Sequence, residues 1–326
     1  MAKKSSRFRP VVFVLILLLS LVMVFSAAML LDGLFGGERV EVGPTPSKTI
    51  TVDGVDYFPR QDISVMMLLG IDEEGPVKDS GSYNNTGEAD VVALAVFDEK
   101  DQTYSIVTLN RDTMLDMPVL GIGGKPAGTR YGQLALSHTY GSGLEDSCEN
   151  TRKTVSEFLY GLDIDHYFAM NMDAISLLND AVGGVKVHVE DDFSAIDATI
   201  PMGEVRLTGD QAMSFIRTRQ GLGDQLNLSR MKRHEEYMKG FFAALYDSMD
   251  ASGSFVLKTY DSLTPYVVSS CSAKALNGFA NRYADYTFKE IVSPAGENRR
   301  GEEYMEFYAD EKALEELVLR LFYKEK

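Results

Sequence analysis

The sequence predicts an α/β fold: a layered α-β-α domain built on a central mixed sheet and preceded by a single N-terminal transmembrane helix. Three observations carry this. Continuous apolar runs of strand length stand at residues 63–71 (ISVMMLLGI) and 91–97 (VVALAVF), as in strands buried on both faces. Strand and helix patterns then alternate from residue 134 to 217, the order expected when helices cover a sheet. Ahead of both, residues 11–31 carry no charged side chain.

That uncharged run has 21 residues, enough at roughly 1.5 Å per residue to span about 30 Å of hydrocarbon. Lys3, Lys4, Arg7 and Arg9 precede it, and Asp32, Glu38 and Glu41 follow. The positive-inside rule then places residues 1–10 in the cytoplasm as a basic tail and everything after residue 31 outside it. The expectation is a cell-membrane protein with one pass. Read as a cleaved signal with its site at Ser26-Ala27-Ala28, the run would be longer than the usual apolar core of roughly 7–15 residues. Residues 32–62, with Gly, Pro and charged residues, read as an extracytoplasmic stalk in which TVDGVDYF forms a turn between two strands.

The folded domain is expected over residues 63–326. A Gly/Ser/Asn-rich loop (75–87) follows the first strand; the second strand follows Asp90 and turns at DEKDQ (98–102) into YSIVTLN (104–110), a hairpin. Residues 117–129 read as a Gly/Pro loop, 134–140 and 146–159 as helices, and 163–172 as a strand. A short helix over 173–182 stops at Gly183 and Gly184 before a strand at 185–189. A loop leads to Thr208-Gly209-Asp210-Gln211, a capping box that opens a helix ending near Arg217. A longer helix is expected over 226–249, and an amphipathic one over 313–323 turns Leu314, Leu317, Val318 and Leu321 inward.

With 45% apolar residues in 326, the chain can bury one sizeable core. A formal charge of −16 opposes a broad nucleic-acid interface, which needs a basic footprint. Against that background the stretch 215–237 concentrates cations: Arg217, Arg219, Arg230, Lys232, Arg233 and Lys239 face only Asp224, Glu235 and Glu236 between residues 217 and 239. Arginine's planar fork suits phosphate. Arg230, Arg233 and His234 share one helix face by their spacing. Asp72 and Asp90 sit at strand ends, where carboxylates hold a hard divalent ion, and Arg111 and Asp112 close the third strand. Nucleotide-binding glycine motifs, a nucleophile elbow and zinc-ligand spacing are absent. Cys148 and Cys271 alone fix no pairing geometry.

The segments LLGID (68–72), ADVVALAVF (89–97), TLNRDT (108–113), DHYFAMNMDAISLLNDAVGGVKVHV (165–189) and LTGDQAMSFIRTR…GD…SRMKRHEEYM (207–238) resemble, in order over 63–245, the LytR-CpsA-Psr family of membrane-anchored cell-wall enzymes. The resemblance implies a phosphotransferase that moves a glycopolymer, such as teichoic acid or capsule, from a polyprenyl pyrophosphate carrier to peptidoglycan. It implies Mg²⁺ at Asp72 and Asp90, Arg111 as the arginine after the third strand, and Arg217, Arg219 and Arg230 on the phosphates. Arg233 keeps the family's basic position and, with His234, which can donate to a phosphate oxygen, supports those arginines in binding substrate. Asp90 is the candidate base for the incoming hydroxyl, and Met170, Met172, Met213, Phe215, Phe241 and Phe242 are candidates to line a lipid tunnel. Three positions depart from the pattern: Glu88 stands in place of an arginine, as does Leu115, and His234 in place of a glutamine. Two other readings remain in view: a non-catalytic lipid- or glycan-binding member, favoured if Glu88 and Leu115 disable turnover, and a transcriptional regulator, opposed by the outward orientation and acidic surface.

Overall fold

A computed structural model describes residues 49–325 apart from 122, 219–232, 234, 235, 238, 242, 246, 249–254, 284 and 303. Two compact units are present. One comprises Met170–Val267 and Ser272–Asp285; the other comprises 49–169, Val268–Cys271 and 286–325.

Strands β1 (Ile50–Val52) and β2 (Val55–Pro59) form the hairpin expected in the stalk segment, with Asp53 and Gly54 at its turn. The apolar runs become β3 (Ile63–Ile71) and β4 (Ala89–Asp98), and β4 turns into β5 (Thr103–Leu109). Asp98 closes that turn by accepting the Lys100 and Asp101 amides at 3.1 Å.

The segment 117–129 is not a loop. It belongs to a hairpin of β6 (Met114–Gly121) and β7 (Lys125–Gln133), paired antiparallel. Its glycines and prolines read as breakers, and β7 is exposed from Lys125 to Tyr131, so no apolar alternation marked it. A 3₁₀ turn (Leu134–His138) replaces the helix expected over 134–140. Helix α1 (Glu145–Phe158), β8 (His166–Asn171) and α2 (Ala174–Ala181) follow as expected; Gly183 and Gly184, at φ 75° and 85°, end α2.

β9 (Val185–Val189) pairs antiparallel with β10 (Gly203–Leu207), a strand where only loop was expected. Helix α3 (Gly209–Arg217) starts at the capping box, where the Thr208 amide donates to Gln211 Oε1 at 2.9 Å. Of the helix expected over 226–249, the described residues from 233 to 248 are helical. Then come α4 (Phe255–Leu263), β11 (Val267–Ser269), α5 (Ala273–Arg282), β12 (Thr287–Val292), β13 (Gly296–Arg300), β14 (Met305–Ala309), α6 (Glu311–Phe322) and β15 (Tyr323–Glu325), which pairs with β2.

The central sheet runs β11-β8-β3-β4-β5-β12. It is mixed: β3, β4 and β5 are antiparallel neighbours, whereas β12 runs parallel to β5. One face, with Val65, Met67, Leu94 and Val107, packs against Cys148, Val155 and Leu159 of the α1 segment and Leu314, Leu317, Val318 and Leu321 of α6. Met66, Leu68, Ala93 and Ala95 on the alternate positions are buried too, which is why these strands read as continuous apolar runs. Each such large side chain contributes roughly 1.5–3 kcal/mol on burial. Both cysteines are buried free thiols. Among the described residues no helix is long and apolar enough to cross a membrane; the tail 1–10 and the expected span 11–31 lie outside them.

Candidate functional site

Arg111 and Asp90 are brought together by the β4–β5 hairpin. Its register pairs Asp98 with Thr103 and Val92 with Leu109, so Asp90, two residues before Val92, and Arg111, two after Leu109, lie at the same end of the hairpin. On the other side of β4 the register with β3 shifts between Gly70 and Ile71, so Asp90 is the extra residue of a bulge. A bulge bends the strand and re-aims its side chain, here at the sheet edge where Asp72 leaves β3. The Asp72 amide donates to the Glu88 carbonyl at 3.0 Å, tying the two chain ends.

Around the Arg111 guanidinium stand three carboxylates. Nη1 donates to Asp90 Oδ1, Glu88 Oε2 lies 3.6 Å from the same nitrogen, and Nε donates to Asp112 Oδ1 at 3.3 Å. Arg111 is only 6% exposed and Asp90 8%, so the pair is screened little by solvent. Burial pushes the Asp90 carboxyl up to about 7; the charges of Asp72 and Glu88 add to it, against the pull of Arg111. Burial likewise raises Glu88 and Asp112 against Arg111. Arg111 itself is raised, because Asp90, Asp112 and Glu88 outweigh its desolvation. Glu88 thus puts a carboxylate on the arginine where the resemblance expects a second arginine. Leu115, the other departure, packs against the apolar core.

Behind the acids, Asn85 and His138 fix the loop end. Asn85 Nδ2 donates to the His138 and Gly141 carbonyls at 2.8 and 2.9 Å, while its Oδ1 accepts from the Gly87 amide at 2.7 Å. His138 Nδ1 lies 2.7 Å from the Gly87 carbonyl. Neither residue carried a signal in the sequence, because the loop 75–87 hides which of its polar side chains turn inward.

The second group of candidates lies in the other unit. Arg217 ends α3 and is exposed, a cation at a helix C-terminus. Arg233 is 6% exposed and bonded at each guanidinium nitrogen: Nε donates to the Phe215 carbonyl at 3.0 Å, Nη2 to the Thr218 carbonyl at 2.6 Å, and Nη1 to Asp191 at 2.5 Å. Its guanidinium sits 5.7 Å from the Phe193 ring, which stacks on Phe215. Arg233 therefore caps the carbonyl end of α3 on either side of Arg217. Arg219, Arg230 and His234 lie outside the described residues. Of the apolar candidates, Met170, Met172, Phe215 and Phe241 are buried.

Among the described residues no group of three His, Cys, Asp or Glu is arranged to hold a metal. Magnesium commonly takes only one or two protein carboxylates and completes its shell with water and substrate phosphates. The surplus of acids over Arg111 at the strand ends fits that mode.

The LytR_cpsA_psr family matches residues 43–321 of the chain. The polyisoprenyl-teichoic acid–peptidoglycan teichoic acid transferase TagU of Enterococcus faecalis is 31% identical over 165 residues, 51% of this chain and 48% of that protein. TagU of Bacillus mycoides is 31% identical over 155 residues, 48% of this chain and 44% of that protein. The chain spans about half the length of the curated relatives it matches. Among solved structures, B. subtilis TagV is similar with a TM-score of 0.55 and 21% identity, over 80% of this chain and 96% of that one. TagT bound to LI-WTA is similar with a TM-score of 0.54 and 22% identity, over 80% and 90%. These two likenesses are likenesses of fold, and they agree with the central mixed sheet described above. Because the family match runs through both the sheet-edge cluster and the arginine stretch, the chain belongs to the LytR_cpsA_psr family.

Proposed function

We propose that this chain is a membrane-anchored phosphotransferase that moves a glycopolymer, a teichoic acid, capsule chain or similar, from a polyprenyl pyrophosphate carrier to peptidoglycan outside the cytoplasm. The observation that carries the reading is the buried Arg111–Asp90 pair at the ends of β4 and β5. A carboxyl near pH 7 is suited to take the proton of the attacking sugar hydroxyl. Arg111 holds that carboxylate in place and presents positive charge where the phosphoryl oxygens carry negative charge. Arg217, Arg219 and Arg230 neutralise the departing polyprenyl phosphate in this reading, with Arg233 bracing the end of α3 that carries Arg217. Mg²⁺, held by Asp72 and Asp90, would supply charge neutralisation of the pyrophosphate when bound. Family membership and relatives named as teichoic acid transferases support the substrate class. The uncharged run at 11–31 supports the anchor, which keeps the site beside a lipid carrier.

One observation favours a second reading, a binding member without turnover. Glu88 sits 3.6 Å from Arg111, so an incoming phosphate must compete with a carboxylate. The experiment is to incubate the purified full chain with a lipid-linked glycan, peptidoglycan and Mg²⁺. Release of polyprenyl phosphate with polymer joined to peptidoglycan supports transfer. Tight binding without release supports the binding member, release without acceptor indicates a pyrophosphatase, and neither binding nor release overturns both readings.

A further inference from the structure

Gln133 closes β7 and is buried, yet the chemistry above gives it no task. Its Nε2 donates twice, to Asp112 Oδ1 and to the Met305 carbonyl, each at 2.8 Å. A backbone carbonyl only accepts, so the amide's orientation is fixed. Asp112 is held on every side. Its amide donates to Asn110 Oδ1 at 2.9 Å, its carbonyl accepts from the Phe307 amide at 2.8 Å, and its Oδ1 receives both Gln133 and Arg111 Nε. Met305 and Phe307 belong to β14, and Phe307 also bridges to Thr113. The β13–β14 hairpin, far along the chain, thus abuts the turn that carries Arg111.

We propose that Gln133 is a positioning residue for the transfer reaction, acting through Asp112 to fix the plane of the Arg111 guanidinium so that Nη1 meets Asp90. The proposal rests on the function proposed above. A guanidinium held only at Nη1 can pivot about that contact; held at Nε as well, its planar fork has one orientation. Without the Gln133 donor, Asp112 Oδ1 loses a partner that offsets its desolvation, and the grip on Nε loosens. Small displacements of such a group are costly, about 10²-fold in rate for 1 Å.

The test uses the full chain carrying Gln133→Leu, which keeps the bulk and removes the donor. The Nε–H resonance of Arg111, assigned by its loss in Arg111→Lys, should shift and exchange faster with water. On the lipid-linked glycan, kcat should fall about tenfold or more with KM within about twofold. In an Asp112→Ala background, which removes the acceptor that Gln133 and Arg111 share, Gln133→Leu should add less than about twofold. An unchanged resonance, or losses that multiply in full, overturns the proposal. Should Gln133→Leu fail to fold, Gln133→Glu, which keeps the shape and puts an acceptor in place of the donor to Asp112, must move the same resonance; its failure to do so is equally fatal. A wild-type chain that transfers no glycan sinks the proposed function, and the resonance still decides the role of Gln133.

Discussion

Replacing His138 with asparagine should flatten the acid side of the stability curve. His138 is 2% exposed, with Nδ1 against the Gly87 carbonyl at 2.7 Å and Nε2 facing Cys148 Sγ at 3.9 Å. Burial, which disfavours the imidazolium, pushes it down to about 4 from its ordinary 6.5, against weaker pulls from Gly87 and Asp146. The unfolded chain therefore binds a proton at a pH where the folded chain does not. Stability from this group is full above about pH 6.5, declines as the pH falls, and is lost by about pH 4. At 1.36 kcal/mol per tenfold change in proton affinity, the loss is roughly 3 kcal/mol. Asp90 works in the opposite sense: raised to about 7 from 3.8, it contributes stability below 3.8 that disappears as the pH climbs through 7. The comparison must therefore be the difference between wild type and H138N, in which Asp90 cancels. Asparagine keeps an N–H near the Nδ1 position and does not titrate. Urea unfolding followed by circular dichroism, from about pH 7.5 to about pH 4.5, should show the advantage of wild type shrinking by 2–3 kcal/mol, on the order of the shift above. A difference that stays constant across that window would refute the assignment of a neutral, buried His138.

Asp90→Asn should lower the rate of polyprenyl phosphate release by about 10²-fold or more at saturating Mg²⁺. Full turnover of the variant at saturating metal would rule out the base. Glu88→Gln removes a carboxylate 3.6 Å from Arg111 and should tighten binding of Mg–pyrophosphate by about fivefold, equivalent to about 1 kcal/mol, in calorimetry; equal or weaker binding contradicts the competition. Arg233→Met leaves Asp191 and two helix-end carbonyls without their donor and should cost about 3–5 kcal/mol in thermal unfolding, whereas a loss under about 1 kcal/mol would mean that the cap is dispensable. Gly240→Ala should cost about 1–3 kcal/mol, because a Cβ there would meet the Lys186 carbonyl of β9; a neutral result would mean that the helix moves away freely.

The central strands and, through them, half of the site are written locally in the chain. Residues 63–71 and 91–97 are unbroken apolar runs of strand length, and a sheet covered on both faces satisfies both their side chains and their backbone. The polar turn at 98–102 then fixes a hairpin register, and that register brings Asp90 and Arg111 to the same end of the strands. The capping box at Thr208, the glycine stop after α2 and the inward face of α6 were equally local, each written within a few residues. What spans long distances in the chain was not legible. The bulge that aims Asp90, the Gln133 amide reaching Met305 and the inward turn of His138 are decided by which surfaces meet, and short-range periodicity carries no record of that. The same reason divides the basic stretch. Composition makes Arg217 and Arg233 alike, but Arg233 is buried against Phe193, Asp191 and the end of α3 while Arg217 is exposed. A fork's partners come from segments packed around it, so only the tertiary structure could make one arginine a brace and leave the other at the surface.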